Sequence, residues 1–290
     1  MSIHRLMSIV CGTTLVLAGT MAGLQAAEQT AGDPVLKAVI DGSWRSAEAK
    51  SRDAWRHPAE SLQFWGLRPG MSILEVQPGA GWWTDILAPY AAQTGGRFAV
   101  TAADLGNPEL SDAARKDRAK LEARFADNAK LYGKVDLVNW GRQSAPLAGN
   151  QFDFILTARS VHGWMDADGG GVVGKVFADF HRALKPGGIL ALEQHRADPG
   201  PQDPGAENGY VTEAYVIEQA EKAGFKFVER SEINANPRDT KDHPFGVWTL
   251  PPMRTSVPYG RGLPPDPTFD HSKYDAIGES DRMTLKFRKP

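Results

Sequence analysis

Three groups of residues in this chain have the types and spacing to do chemistry. The first is Glu75 with Gln77-Pro78-Gly79-Ala80-Gly81, at the end of the apolar run Ile73, Leu74, Val76 and just before a segment of helical spacing (Trp83, Ile86, Leu87). A strand, a tight glycine turn and a helix start leave free N–H groups at the helix N-terminus, and glycines without a Cβ let a ligand lie against the turn. The second is Asp104, which closes another apolar run from Phe98 and falls where parallel sheets that bind nucleotides place a ribose-binding carboxylate. The third gathers two histidines: His162 in the stretch after the run Phe152 to Leu156, and His195 in Glu193-Gln194-His195-Arg196 after the run Ile189 to Leu192. An imidazole titrates near neutrality, so His162 is a candidate general base, alongside ordinary packing. Glu193 and His195 point to one side of an extended segment, where they share a proton or a metal, or form a satisfied buried pair.

The elements that must position these groups follow in order. Asp33 to Ile40 and Ser46 to Trp55 have helical character, and Pro58 suits the first turn of a further helix carrying Leu62, Phe64 and Trp65. Arg52, Asp53, Arg56 and His57 read as a solvated helix face rather than a site. Asn107 to Leu131 is highly charged with an imperfect apolar stripe and reads as a surface crossover helix, and Lys134 to Trp140 follows as a strand. Gly169-Gly170-Gly171 is a turn; Val173, Val176, Phe177, Phe180 and Leu184 then line the core face of a helix. Thr212 starts another helix that Gly224 ends, with a strand from Phe225 to Ile233. Strands alternating with helices imply an α/β fold with a mostly parallel sheet. From Asn234 to Asp281 there are 48 residues, eight of them proline, before Met283 to Phe287 alternates as a closing strand. A segment this long with five aromatic residues reads as an ordered lid over the cleft, with Asn236 or His243 reaching His162 or His195.

In EVQPGAG (75 to 81), Asp104, FDFIL (152 to 156) and LKPGGILAL (184 to 192) the chain resembles class I S-adenosylmethionine-dependent methyltransferases. In PGAGWWTDILAPY, SEINANPRDTKDHP, GVWTLPP and GESDRMTLKFRKP it looks like a bacterial group of predicted methyltransferases that carry signal peptides. The resemblance spans about residues 50 to 290 and implies a Rossmann-like sheet of seven strands, helices on both faces, and an antiparallel last strand. It implies S-adenosylmethionine as cofactor, held by Glu75, Gly79, Gly81 and Asp104; Trp82 and Trp140 either stack on it and attract its sulfonium or are partly buried packing residues. Gln77 stands where the first glycine of the usual turn belongs, and Gly141 where many such enzymes carry an acid for the adenine amino group. Catalysis would fall to His162, His195 and Arg196 in an acceptor pocket.

Composition narrows the setting. Net charge is −2, and without residues 1–26, which carry Arg5 and no acid, 32 basic residues stand against 35 acidic ones, or −3. No basic patch points to nucleic acid. Residues 1–26 have the basic start, uncharged middle and small-residue end of a signal peptide, with an uncleaved anchor as the alternative; cleavage implies a periplasmic or secreted protein with no stable membrane insertion. Cys11 is the one cysteine, so cleavage leaves none, and disulfides, thiol catalysis and cysteine metal sites are excluded. Residues 27–70 then form a tail with helices, and 71–290 a methyltransferase-like domain with the 234–281 lid. The expected activity is methyl transfer to a small-molecule acceptor. A binding or sensing protein that no longer uses the cofactor is the alternative from another class, and a hydrolase or lyase using the histidines is a third, which no nucleophile elbow or zinc motif favours.

Overall fold

The apolar runs become strands because each is short, rich in β-branched and aromatic residues and bounded by turn residues. In the computed structural model, which describes residues 32–166 and 171–290, these are β1 (Ser72–Val76), β2 (Arg97–Ala102), β3 (Val135–Asn139), β4 (Phe152–Ala158), β5 (Leu184–His195), β6 (Lys226–Ser231) and β7 (Arg282–Arg288). The signal peptide read over residues 1–26, and Gly169 and Gly170 of the glycine turn, lie outside the described residues. The strands form one sheet in the order β3-β2-β1-β4-β5-β7-β6, with β7 antiparallel to both neighbours and the other pairings parallel. The order reverses at β1, whose neighbours are β2 and β4. Open α/β sheets bind ligands at this reversal, outside the carboxyl ends of the strands.

Two buried apolar clusters hold helices to the faces of the sheet. One joins Leu74, Ile155 and Leu190 to Phe177 and Phe180 of the helix Val173–Ala183; the other joins Ile73, Phe98 and Phe154 to Trp65 and Ile86. Each fully buried side chain of this size contributes about 1.5–3 kcal/mol, so the edge that carries the site rests on a rigid base. The N-terminal helices belong to this base. Asp33 caps Pro34–Ile40 by accepting from the Val35 and Leu36 N–H groups, and Trp65 Nε1, on the helix Pro58–Trp65, donates to Leu285 O of β7 at 2.9 Å.

Residues 234–281 hold little regular structure beyond a 3-10 turn, Gly246–Thr249, and a short helix, Ser272–Ile277. They are ordered by polar anchors. The Asp239 carboxylate, buried, accepts from Tyr210 Oη, from the Asp281 and Lys241 N–H groups, and lies 2.8 Å from His243 Nε2. Among the described residues no helix is long and apolar enough to cross a membrane.

Candidate active site

The glycine turn keeps its expected path despite the glutamine in it. Gln77 itself adopts a left-handed conformation (φ 49°), as do Gly79 (φ 55°) and Gly81 (φ 85°). Two hydrogen bonds hold it there: its N–H donates to Thr101 Oγ1 at 2.8 Å and its Oε1 accepts from Trp164 Nε1 at 3.1 Å. The two glycines have different surroundings. At Gly79 a Cβ would meet nothing within 4 Å, whereas at Gly81 it would fall 2.1 Å from Arg124 Nη1. Arg124 crosses from the helix Asp112–Asp127 to donate to Ala80 O (2.9 Å) and Asp85 Oδ1 (2.6 Å), so the hollow beside Gly81 is filled by protein and the one beside Gly79 is open to a ligand.

Two cavities meet at Gln77, which lines both. The first, about 570 Å³, is bounded by Asp104, Asn107, Trp140, Gly141, Ser144 and Trp164. In it the Ser144 hydroxyl and the Gly106 N–H hold the Asp104 carboxyl below its ordinary range, so it is ionised and ready to accept from a diol. Trp140 shows the cavity one side only: it is buried, stacks on Phe180 (5.9 Å between centroids, 28°) and donates through Nε1 to Asp179. The second cavity, about 480 Å³, runs from Glu75, Gly79 and Trp82 to His162 and His195. Both volumes suit a small ligand. Burial pushes the Glu75 carboxyl up to about 8, although Thr84 Oγ1 donates to it at 2.6 Å. Trp82 lies between the guanidiniums of Arg45 (5.2 Å) and Arg56 (4.8 Å).

The hydrogen bonds around the histidines assign their protons. Gln194 Oε1 accepts from the Val161 N–H at 3.1 Å, which turns its amide NH₂ toward Gly209 O (3.0 Å) and His162 Nδ1 (3.2 Å). His162 therefore accepts at Nδ1 and carries its proton on Nε2. Burial lowers its pKa to about 4, so at neutral pH it is an uncharged donor and not a base at that nitrogen. His195 lies 5.7 Å away between ring centroids, with Nδ1 2.6 Å from Ser280 Oγ. Burial first, then His162 and nearby arginines, lower its pKa well below the usual value, which keeps it neutral. Glu193 does not share a proton with His195; it is buried against Arg282 Nη1 at 3.2 Å.

Several expectations change against this geometry. Arg196 does not line either cavity: its guanidinium is committed to Asp281 and Glu232. Gly81 faces Arg124 and not the cleft. The lid reaches the histidines, but through Trp248, 5.7 Å from His162, and Ser280 on His195; Asn236 bonds to Ile277 O and Glu279 O, and His243 to Asp239. Arg52 and Arg56 are not a solvated face. Arg56 is 1% exposed and both line the second cavity, joined there by Arg159. Nothing in the local pattern marks Arg56, because its burial is made by Trp82, by Glu279 and by the lid, all distant in sequence. Among the described residues no three acid, histidine or cysteine side chains are grouped to hold a metal.

Residues 74–192 match the family model described as a methyltransferase domain. Among curated proteins, the ubiquinone/menaquinone biosynthesis C-methyltransferase UbiE of Shewanella piezotolerans is 30% identical over 127 residues, covering 44% of this chain and 43% of that protein. The UbiE of Shewanella halifaxensis is 31% identical over 129 residues, covering 44% of each. The chain thus spans less than half the length of the curated relatives it matches. Among solved structures, one assigned provisionally as a sarcosine dimethylglycine methyltransferase from Galdieria sulphuraria has a TM-score of 0.50 at 14% identity, over 83% of this chain and 87% of that one. Another, a SAM-dependent methyltransferase from Aquifex aeolicus, gives 0.45 at 22% identity, over 69% of this chain and 93% of that one. The fold is the Rossmann-like class I methyltransferase fold. Within it, residues 74–192 are the part that matches a methyltransferase domain, and they carry the glycine turn and Asp104.

Proposed function

We propose that this protein is an S-adenosylmethionine-dependent methyltransferase acting on a small-molecule acceptor, and that it works outside the cytoplasm after removal of its signal peptide. The observation that carries the reading is the pair of cavities meeting at the β1 turn. Asp104 and Trp140 stand in one for a ribose and an adenine; Glu75 and the open Gly79 stand in the other for a methionyl tail. The cofactor, when bound, supplies a methyl group on a sulfonium. The protein then has to place the acceptor, exclude water and take up any proton the acceptor gives. His195, its Nδ1 fixed by Ser280 and its charge suppressed, presents a neutral ring to the acceptor, and His162 offers an N–H to orient it. Glu75 and Asp104 are the carboxyl groups suited to the cationic and diol parts of the cofactor.

Calorimetry with S-adenosylhomocysteine tests the reading. The protein should bind it at micromolar concentration, and Gly79→Asn should abolish binding with little change in thermal unfolding, because asparagine tolerates a left-handed backbone and its side chain would fill the open space. Absence of heat at millimolar ligand would overturn the methyltransferase reading in favour of a binding protein that kept the fold.

A further inference from the structure

The second cavity has more positive charge than its own acids can balance. Its inner wall carries Arg52, Arg56 and Arg159, with Arg282 behind, against only Glu279 and Glu193. Arg56 spends its Nε on Glu279 (2.9 Å), and Arg282 Nη1 bonds the same carboxylate at 2.7 Å. Among the described residues Arg56 Nη1 and Nη2 are buried with no partner, and so is Arg159 Nε. Arg159 also holds a left-handed backbone (φ 56°), a costly conformation for a long side chain, where burial lowers its pKa, Glu193 and Glu279 oppose that, and its charge acts in turn on Arg56. Nearby acids do not repair the imbalance: Glu75 is kept protonated by burial, and both histidines are kept neutral. Like charges with unmade hydrogen bonds in a buried wall destabilise a fold unless a ligand completes them.

A cationic cofactor makes this worse. S-adenosylmethionine has a sulfonium and an ammonium against one carboxylate, so its own carboxylate cannot neutralise the wall without bringing two further positive charges. The lid's part of the lining is of another kind. Trp248 stacks on Tyr259 (4.8 Å between centroids, 5° between planes), with Val247, Leu250 and Met253 beside them. We propose that the acceptor is a small organic acid, its carboxylate or phosphate held between Arg56 and Arg159 and its apolar body laid against Trp248. This rests on the methyltransferase reading for the word acceptor, but the anion site stands on its own residues. Guanidinium pairs recognise planar anions by paired hydrogen bonds, and the bound anion supplies the negative charge that a sulfonium needs beside it.

The test is calorimetry of the purified protein with benzoate, octanoate, phenyl phosphate, inorganic phosphate and the neutral amides benzamide and octanamide, each alone and with S-adenosylhomocysteine or S-adenosylmethionine. At least one organic anion should bind about tenfold or more tighter than its neutral amide and than inorganic phosphate. Arg159→Gln, which removes no hydrogen bond of the fold, should weaken that anion about tenfold while S-adenosylhomocysteine affinity changes little; Arg56→Gln should do the same if it folds. Saturating anion should tighten S-adenosylmethionine more than the neutral thioether S-adenosylhomocysteine. Equal binding of anions and amides would overturn the proposal. So would inorganic phosphate binding as tightly as the organic acids, or the arginine variants losing S-adenosylhomocysteine with anion binding intact. Binding of S-adenosylhomocysteine without any organic anion would sink this inference alone. An organic anion bound without S-adenosylhomocysteine would sink the methyltransferase reading alone.

Discussion

Glu75, next to last in β1, is 3% exposed, and burial raises its pKa from 4.5 to about 8. The folded protein therefore binds a proton that the unfolded chain has released between those values, and stability falls as pH rises from about 4.5 to about 8. His162 acts in the opposite sense: its pKa is lowered from 6.5 to about 4, so its contribution is lost as pH falls through that window. Comparison with Glu75→Gln separates the two. Urea unfolding at pH 6 and pH 8 should show the wild type losing about 2 kcal/mol relative to the variant, as a buried acid with this shift requires. S-adenosylhomocysteine should bind wild type more tightly as pH approaches 8, because its ammonium favours the ionised carboxylate, and the variant should lack that slope. Parallel pH profiles for wild type and variant would refute the role of Glu75. At this scale Glu75, Gly79 and Asp104 were legible in the sequence, because a strand end, a turn and the next strand end fix one another locally. Gln77 looked like a departure and is not one in shape: the left-handed backbone survives because Thr101 and Trp164 hold it. The arginines were not legible. A charged residue on a short helix is exposed unless something distant covers it, and the cover here comes from Trp82 on another element and from Glu279 and the lid near the far end of the chain.

Among the elements, all seven strands were readable from their apolar runs, whereas the antiparallel sense of the closing strand came from the strand and helix alternation together with the family resemblance. The helix Asp112–Asp127 shows what periodicity leaves out. Its weak stripe marks it as a surface crossover, yet Arg124 reaches from it to the glycine turn and makes the Gly81 position intolerant of a side chain. The lid was legible as an element from its length, prolines and aromatic residues, but not in its contacts, since the polar residues expected to face the site anchor the lid to itself instead. Asp239 is the centre of that anchor, with its side chain fully buried and Tyr210, His243 and the Asp281 N–H all converging on it. Asp239→Asn leaves a neutral amide that cannot accept from all of them. It should cost about 2–3 kcal/mol in urea unfolding, the range for a buried hydrogen-bonded charge left imperfectly paired. Protease should cut faster within 251–265 in the variant, where the chain is exposed and irregular. Unchanged stability and unchanged cleavage would show that the lid is held by its apolar contacts alone.

At the scale of the whole molecule, the expected export and the cofactor stand in tension. S-adenosylmethionine is charged, and carrying a charge through the bilayer centre is costly, so an enzyme outside the cytoplasm must be supplied by a transporter, work before export, or bind a different ligand. The position of the first structural tie bears on the choice. Asp33 caps the helix Pro34–Ile40 and accepts from Tyr90 Oη at 2.6 Å, while Leu36 and Val39 pack into the core, so the fold is already secured close behind the expected cleavage point. A chain beginning at Ala27 keeps every one of these contacts. Its thermal midpoint should lie within about 2 °C of that of the full chain, since the contacts that secure this end of the fold begin at Asp33. Mass spectrometry of protein recovered from the native cell envelope should find the N-terminus at or close to Ala27. If the cofactor is acquired before export, envelope protein should also carry S-adenosylmethionine or S-adenosylhomocysteine, released on denaturation and detectable in the same instrument. Envelope protein that starts at Ala27, arrives empty and binds either form when it is added would point to supply on the far side. A chain recovered from the cytosol with Met1 intact would overturn the export reading, and the tension with the cofactor would disappear with it.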